Sequence, residues 1–317
     1  MRIGTRGSRL ALWQSERVRD LLRLIDHSLE ITIVTIRSSG EKFPDDSFAD
    51  IGIGVFTREI DQAVLDGRVD IGVHSLKDLP TDLPPGLVLA AVPQRGPTAD
   101  AWVAASGVAL GDLPAGARIG TSSPRRQAQL LHWRKDLDVV PLRGNVETRL
   151  RHVREQGLGG TILAEAGLRR LGAEEHITEV LPAKLMLPAV GQGALGVVAR
   201  EDQQEIRELV GALEHLPSRL CVNAERAFLR ELRGGCLVPA AALATCEMTN
   251  EGMADTSGST LRLEGAIGAT DGSTLLRAHA SGTVDEALVI GERLAQELLA
   301  RGGDSILAAV RGGTSES

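Results

Sequence analysis

The sequence predicts an α/β protein of two related α/β lobes followed by a smaller α+β domain. Three observations lead there. Strand-like and helix-like segments alternate from the start of the chain to about residue 211. The tetrapeptide Arg2-Ile3-Gly4-Thr5 recurs letter for letter as Arg118-Ile119-Gly120-Thr121, and each copy is followed by Ser, Arg and a helical segment. From about Leu216 the alternation stops, and one helix, three strand candidates and a closing helix follow.

Residues 2–5 read as a strand, after which Ser8 caps a helix reaching about Ile25, with Trp13, Val18, Leu21, Leu22 and Ile25 on one face. Residues 31–36 form a β-branched strand. Residues 56–65 read as helix and 69–73 as a buried strand that runs into Lys77-Asp78 and stops at Pro80. Residues 87–92 are a further strand, and Pro93-Gln94-Arg95-Gly96-Pro97 reads as a linker. The pattern then restarts, and residues 188–196 lead back to the first lobe. The expected division is 1–93 with 194–211 as the first lobe, 98–189 as the second and 216–317 as the third domain. Two lobes joined by crossing segments leave a gap between them where a ligand is expected. In the third domain residues 219–232 read as an amphipathic helix ended by Gly234-Gly235. Strands at 238–247, 261–269 and 274–282, the last two joined by an Asp271-Gly272 turn, make a three-stranded antiparallel sheet. A helix at 285–300 closes the domain, and the tail 312–317 is expected to be disordered.

Composition narrows the function. Net charge is −7, which argues against nucleic acid as a partner and requires any anionic ligand to be held by locally clustered Arg. No apolar run approaches the ~20 residues of a membrane span. Met1-Arg2-Ile3-Gly4 enters a strand directly, without the apolar core of a signal peptide, so a cytoplasmic protein is expected. Cys221, Cys236 and Cys246 are an odd number in a long chain, which speaks against a disulfide framework. No His/Cys spacing suggests a metal site.

The chemistry gathers at strand ends, where open α/β sheets place ligands. An Asp at position 78, beside Lys77 and close to apolar surface, can stay ionised and stabilise a substrate cation. In Thr121-Ser122-Ser123-Pro124-Arg125-Arg126, Ser123 suits an N-cap and Pro124 the first helical position, so hydroxyls and guanidinium groups meet at a helix N-terminus. Thr5-Arg6-Gly7-Ser8 offers similar chemistry on the other lobe. Leu142-Arg143-Gly144-Asn145 adds an Arg at a strand end, with Arg149 one helical turn further. This many arginines in an acidic protein point to a ligand with several carboxylates or phosphates. Cys236, after Gly234-Gly235, sits on a loop able to approach another domain and could serve as nucleophile or attachment point. Gly191-Gln192-Gly193-Ala194-Leu195-Gly196 matches GxGxxG, but Val197-Val198-Ala199 after it reads as strand, which is the wrong context for a dinucleotide. His74 alone among the histidines lies beside a candidate site.

Together these segments resemble the porphobilinogen deaminase, or hydroxymethylbilane synthase, family. The matching stretches are Thr5-Arg6-Gly7-Ser8 with Ala11-Leu12-Trp13-Gln14, residues 73–80, 120–126, 142–145, 166–172 and 188–196, and Ala224-Glu225-Arg226-Ala227 with Gly234-Gly235-Cys236. They keep the family's order over nearly the whole chain. The resemblance implies two lobes of the type II periplasmic-binding-protein kind plus the α+β domain, in a cytoplasmic monomer. It implies a dipyrromethane cofactor held through a thioether at Cys236, to which four porphobilinogen molecules are added with loss of ammonia, and release of the linear product by hydrolysis. It assigns catalysis to Asp78, Lys77 and Arg6. It assigns cofactor contacts to Ser75, Lys77, Asp78, Thr121, Ser122, Ser123, Arg125, Arg126, Arg143, Gly144, Ala164 and Gly193. Substrate contacts fall to Arg6, Ser8, Gln14, Arg143, Arg149 and Arg170. Each pyrrole unit carries two carboxylates, in keeping with the clustered arginines.

The chain departs from that pattern at Gly52-Ile53-Gly54-Val55-Phe56, where the family has Gly-Lys-Gly-Leu-Phe, and at Asp50, where it has a Lys. Two expected cations are therefore missing from the 41–54 loop. Leu237 replaces the usual Gln after Cys236. The alternative reading is a non-catalytic, two-lobed anion-binding protein.

Overall fold

The computed structural model describes residues 1–37, 57–233, 238–249 and 256–313. The chain divides into two compact units, 1–96 with 193–219, and 97–192 with 220–317.

The first unit is built on a five-stranded sheet in the order β2-β1-β3-β10-β4, from Arg2–Thr5 (β1), Thr32–Thr35 (β2), Ile71–Ser75 (β3), Leu87–Ala91 (β4) and Leu195–Arg200 (β10). β1 runs parallel to β2 and β3, while β10 is antiparallel to both its neighbours. Helix Arg9–Ile25 buries Val18 and Leu22 against Ile3, Ile71, Val73 and Val197. Helix Arg58–Leu65 buries Ile60, Ala63 and Val64. At Gly72 an added Cβ would stand 2.9 Å from Ile60 Cγ2, so glycine admits this close approach of helix to strand.

In the second unit Asp100–Ala104 (β5), Arg118–Gly120 (β6), Asp138–Val140 (β7), Gly160–Ala164 (β8) and Glu179–Leu181 (β9) form a sheet in the order β7-β6-β8-β5-β9. Here β6 is parallel to β7 and β8, and β5 is antiparallel to β8 and β9. The two sheets match position by position. The repeated Arg-Ile-Gly opens the same strand in each, with Ile3 and Ile119 both fully buried. In each sheet one antiparallel strand, β10 or β5, is inserted among four mutually parallel ones.

The rest of the second unit is a three-stranded antiparallel sheet of Ala240–Glu247 (β11), Thr260–Gly268 (β12) and Leu275–Thr283 (β13). Helices Leu216–Glu231 and Ala287–Leu298 supply Ala224, Phe228, Ile290 and Leu294 to its core.

Element ends depart from the sequence expectation for local reasons. The strand expected at 69–73 forms at Ile71–Ser75. The amides of Arg68 and Val69 turn back to the Ala63 carbonyl, and antiparallel pairing with β10 extends the ladder to Ser75. Residues 312 and 313, expected in a disordered tail, complete helix Asp304–Gly313, which Leu307 anchors in the core. The start of the helix expected from residue 56 and the end of that tail lie outside the described residues.

Candidate active site

In the first unit the β3 strand ends in a turn that sorts its side chains by polarity. Leu76 and Leu79 are buried, and the Leu76 amide donates to the Ala194 carbonyl at 3.0 Å. Leu79 Cδ1 lies so near Gly196 that a Cβ there would stand 2.7 Å from it. With both leucines fixed, the turn Leu76–Asp78 carries Lys77 and Asp78 half-exposed at the strand's C-terminal end. Among the described residues the Asp78 carboxylate accepts no hydrogen bond. Ser75 Oγ accepts from Gln14 Nε2 at 2.7 Å, which joins two of the expected site residues across β3 and helix Arg9–Ile25. Ser8 Oγ accepts from the Ala11 amide and caps that helix, and Arg6 is half-buried at the end of β1. His74 turns away from this site: it is buried with Nε2 3.4 Å from Asp61 Oδ1, so it is placed for packing behind the strand.

In the second unit the turn after β6 is set by its own hydroxyls. Thr121 Oγ1 accepts from the Ser123 amide, Ser122 Oγ from the Leu142 amide, and Ser123 Oγ from the Arg126 amide at the head of helix Pro124–Trp133. Each oxygen thereby shapes the turn, and each hydroxyl keeps a proton it can donate.

Arg125 and Arg126 are not solvated at the helix start; both guanidinium groups are buried on one carboxylate. Arg125 Nη1 donates to Asp100 Oδ2 and Arg126 Nη2 to Asp100 Oδ1, each at 2.7 Å. Gln192 Nε2 donates to the same Oδ1 at 3.0 Å. Arg125 Nη1 also donates to the Leu187 carbonyl, which accepts from Gln129 Nε2 as well. Burial alone would push the Asp100 carboxyl up, but the two guanidinium charges and their hydrogen bonds outweigh it and hold it well below the usual range. Burial pulls Arg125 down, against the pull of Asp100. The trio carries one more positive charge than negative, and Arg126 Nε is buried with no hydrogen-bond partner among the described residues.

Further arginines stand at neighbouring strand ends. Gly144, at φ +104°, turns the chain from Arg143 into Asn145, whose side chain caps helix Val146–Glu155 by accepting from the Thr148 amide. Arg149 Nε donates back to the Gly144 carbonyl at 2.8 Å, which ties Arg149 to the turn that carries Arg143. Arg170 ends helix Glu165–Arg170, where burial holds its guanidinium down at about 10, still cationic near neutral pH. Ala164 closes β8.

Gly191 and Gly193 have φ +70° and +86° and lead into the strand β10, not a helix, so the GxGxxG stretch is a turn. Glu225 explains that turn. Its buried carboxylate accepts from the Gly191 amide at 2.7 Å and the Ala244 amide at 2.9 Å, so it joins the turn to β11. Cys236, with Gly234, Gly235 and Leu237, and the loop residues Asp50, Gly52, Ile53, Gly54 and Val55 lie outside the described residues.

Sequence reasoning missed Asp100, Gln129 and Gln192. Asp100 gave one signal, a charged residue opening an otherwise apolar strand, Asp100–Ala104.

Within each unit the described candidates stand at the C-terminal ends of parallel strands or on the helices that follow, and Gly193 opens onto β10. The fold and these sites define an α/β protein that gathers guanidinium, hydroxyl and carboxylate groups at the ligand-receiving edges of two like sheets. The family model described as porphobilinogen deaminase, dipyromethane cofactor binding domain, matches residues 1–208, and that described as porphobilinogen deaminase, C-terminal domain, matches residues 219–300. The chain is 47% identical over 311 residues to the porphobilinogen deaminase of Syntrophotalea carbinolica, covering 98% of this chain and 96% of that one. It is 47% identical over 312 residues to that of Syntrophomonas wolfei, covering 98% and 99%. The chain belongs to the porphobilinogen deaminase family. Among solved structures, the methionine-binding protein MetQ aligns with a TM-score of 0.43 at 13% identity, over 67% of this chain and 89% of that one. Immunogenic lipoprotein A from Vibrio vulnificus aligns at 0.42 and 13% identity, over 69% and 96%.

Proposed function

We propose that this chain is a hydroxymethylbilane synthase. It deaminates four porphobilinogen molecules, joins them head to tail on a dipyrromethane held through Cys236 Sγ, and releases the linear tetrapyrrole for porphyrin synthesis. Family membership along nearly the whole chain supports the reaction class. The observation that carries the reading at residue level is the buried trio of Asp100, Arg125 and Arg126, with its surplus positive charge and unpartnered Arg126 Nε. A buried surplus cation is costly unless an anion faces it, and every pyrrole unit of the proposed ligand brings two carboxylates.

The residues divide the work by their chemistry. Arg125, Arg126, Arg143, Arg149 and Arg170 bind acetate and propionate groups, and Thr121, Ser122 and Ser123 donate hydroxyl protons to them. Gly144, Ala164 and Gly193 supply backbone where the ligand passes close. Ser8, Gln14 and Ser75, with Gln14 bonded to Ser75, position the incoming substrate beside Arg6 and Lys77. Asp78, whose carboxylate is unengaged among the described residues, faces the pyrrole N–H of porphobilinogen. The bond from the methylene carbon to nitrogen breaks with its electron pair going to ammonia, and the ionised carboxylate steadies the positive charge left on the ring. When bound, the dipyrromethane supplies the pyrrole carbon to which the first unit is joined.

The remaining assignments are a cytoplasmic monomer, two lobes at 1–93 with 194–211 and at 98–189, and a third domain at 216–317. Among the described residues no helix is long and apolar enough to cross a membrane.

Intact mass tests the reading. Protein from cells that make porphobilinogen is expected to exceed its sequence mass by one dipyrromethane, and Cys236→Ser to lack it. A wild-type mass equal to the bare polypeptide, with no product formed from porphobilinogen, overturns it in favour of a binding protein.

A further inference from the structure

We propose that Cys221 and Cys246 form a reversible dithiol–disulfide site, a covalent modification independent of the activity above. The two residues are 25 positions apart, yet their sulfurs stand 3.0 Å from each other. That is about 1 Å beyond the ~2.05 Å of a disulfide bond. Cys221 lies on helix Leu216–Glu231, whose Ala224 and Phe228 are fully buried in the core of the third part of the chain. Cys246 lies near the end of β11, opposite Leu261 in a ladder that runs unbroken from Ala240 to Glu247. Both backbones are thus fixed by packing and pairing, so bringing the thiols together costs little further ordering.

The two positions differ in access. Cys221 is 8% exposed, whereas Cys246 is half-exposed. Attack therefore starts at Cys246. Its thiolate, after losing a proton, attacks one sulfur of a low-molecular-weight disulfide such as oxidised glutathione, and one thiol leaves. The Cys221 thiolate then attacks Cys246 Sγ and expels the second thiol. In all, two protein thiols are oxidised to a disulfide and one small-molecule disulfide is reduced to two thiols.

The ring so closed spans positions 222–245 and includes Cys236. It ties the helix that enters the 234–237 segment to the strand that leaves it.

The test uses the purified full chain as isolated, equilibrated without denaturant in mixtures of oxidised and reduced glutathione, then quenched with an alkylating agent and mapped by mass. The expected oxidised product has lost two hydrogen masses, carries no glutathione, and yields a peptide pair linked through Cys221 and Cys246. Its Tm rises by about 5 °C, and reduction reverses both changes. Cys246→Ser is expected to keep the reduced protein's Tm within about 2 °C and to form no intramolecular link. The proposal is overturned if Cys221 and Cys246 both remain alkylatable in the most oxidising mixture, if each instead carries glutathione, or if the link found involves Cys236.

Discussion

Replacing Asp100 with Asn tests the buried ion trio directly. The side chain of Asp100 is fully buried and accepts from Arg125, Arg126 and Gln192 at 2.7, 2.7 and 3.0 Å. Asn keeps the shape but removes the charge, and its amide N–H groups face donors. Two guanidinium groups, each more than nine-tenths buried, are left without a counter-charge. Breaking a buried pair by removing one partner costs about 3–5 kcal/mol, so Asp100→Asn is expected to lower Tm by about 10 °C. Urea unfolding followed by far-UV circular dichroism gives the free energy at each pH. The folded carboxyl titrates well below its unfolded value, because the two arginine charges outweigh the effect of burial. Its contribution is therefore fully present above the unfolded pKa of about 3.9 and is lost as pH falls through the folded value. The gap between wild type and variant should be complete at neutral pH and should narrow below about pH 4. A loss under about 1 kcal/mol at neutral pH, or a gap that does not change with acidity, refutes the reasoning.

Three other outcomes follow from the same structure. Asp78→Asn should keep Tm and the attached mass while turnover of porphobilinogen falls at least about 100-fold, since only the cation-stabilising charge is removed; near-normal turnover rules this role out. Gly144→Ala puts a Cβ 2.6 Å from Thr148 Cγ2 at φ +104°, so about 1–2 kcal/mol of strain should displace Arg143 and Arg149 and raise KM several-fold; an unchanged KM removes both arginines from substrate binding. Gln14→Leu removes the 2.7 Å bond to Ser75 and should cost about 1 kcal/mol with a matching drop in kcat/KM; an unaffected kcat/KM separates Gln14 from the site.

Local patterns made much of the fold readable in advance. The cap at Ser8, the cap-and-proline pair Ser123-Pro124, and the turn at Asp271-Gly272 each depend on residues a few positions apart, and each stands where the sequence places it. The repeated Arg-Ile-Gly-Thr was readable as a duplicated strand and turn, and it occupies equivalent strands of two sheets. The strand ends that carry Arg6, Asp78, Ser123 and Arg143 were readable for the same reason, because an apolar run that opens onto polar residues marks where a strand leaves the core.

Other features were not legible because their causes are distant. Arg125 and Arg126 read as an anion-binding pair at a helix N-terminus; in the fold both are also buried on Asp100, 25 and 26 positions earlier. Nothing near either arginine announces that partner, which is chosen because β5 enters the sheet antiparallel and carries Asp100 inward. Gln192, within a glycine-rich stretch, reads as turn filler until its amide is found on Asp100. His74 stands one residue from a site serine, yet alternation along β3 sends it to the opposite face, toward Asp61.

By itself, the order of residues determined the class of the fold, the strand-end positions of the polar groups, and the family, since all of these depend on short-range periodicity and motif spacing. Tertiary packing alone decided which charges neutralise one another and that Cys221 and Cys246 meet. Those outcomes follow from desolvation and from pairing across strands, which reward contacts between groups far apart in the chain and leave no mark in the letters around either partner.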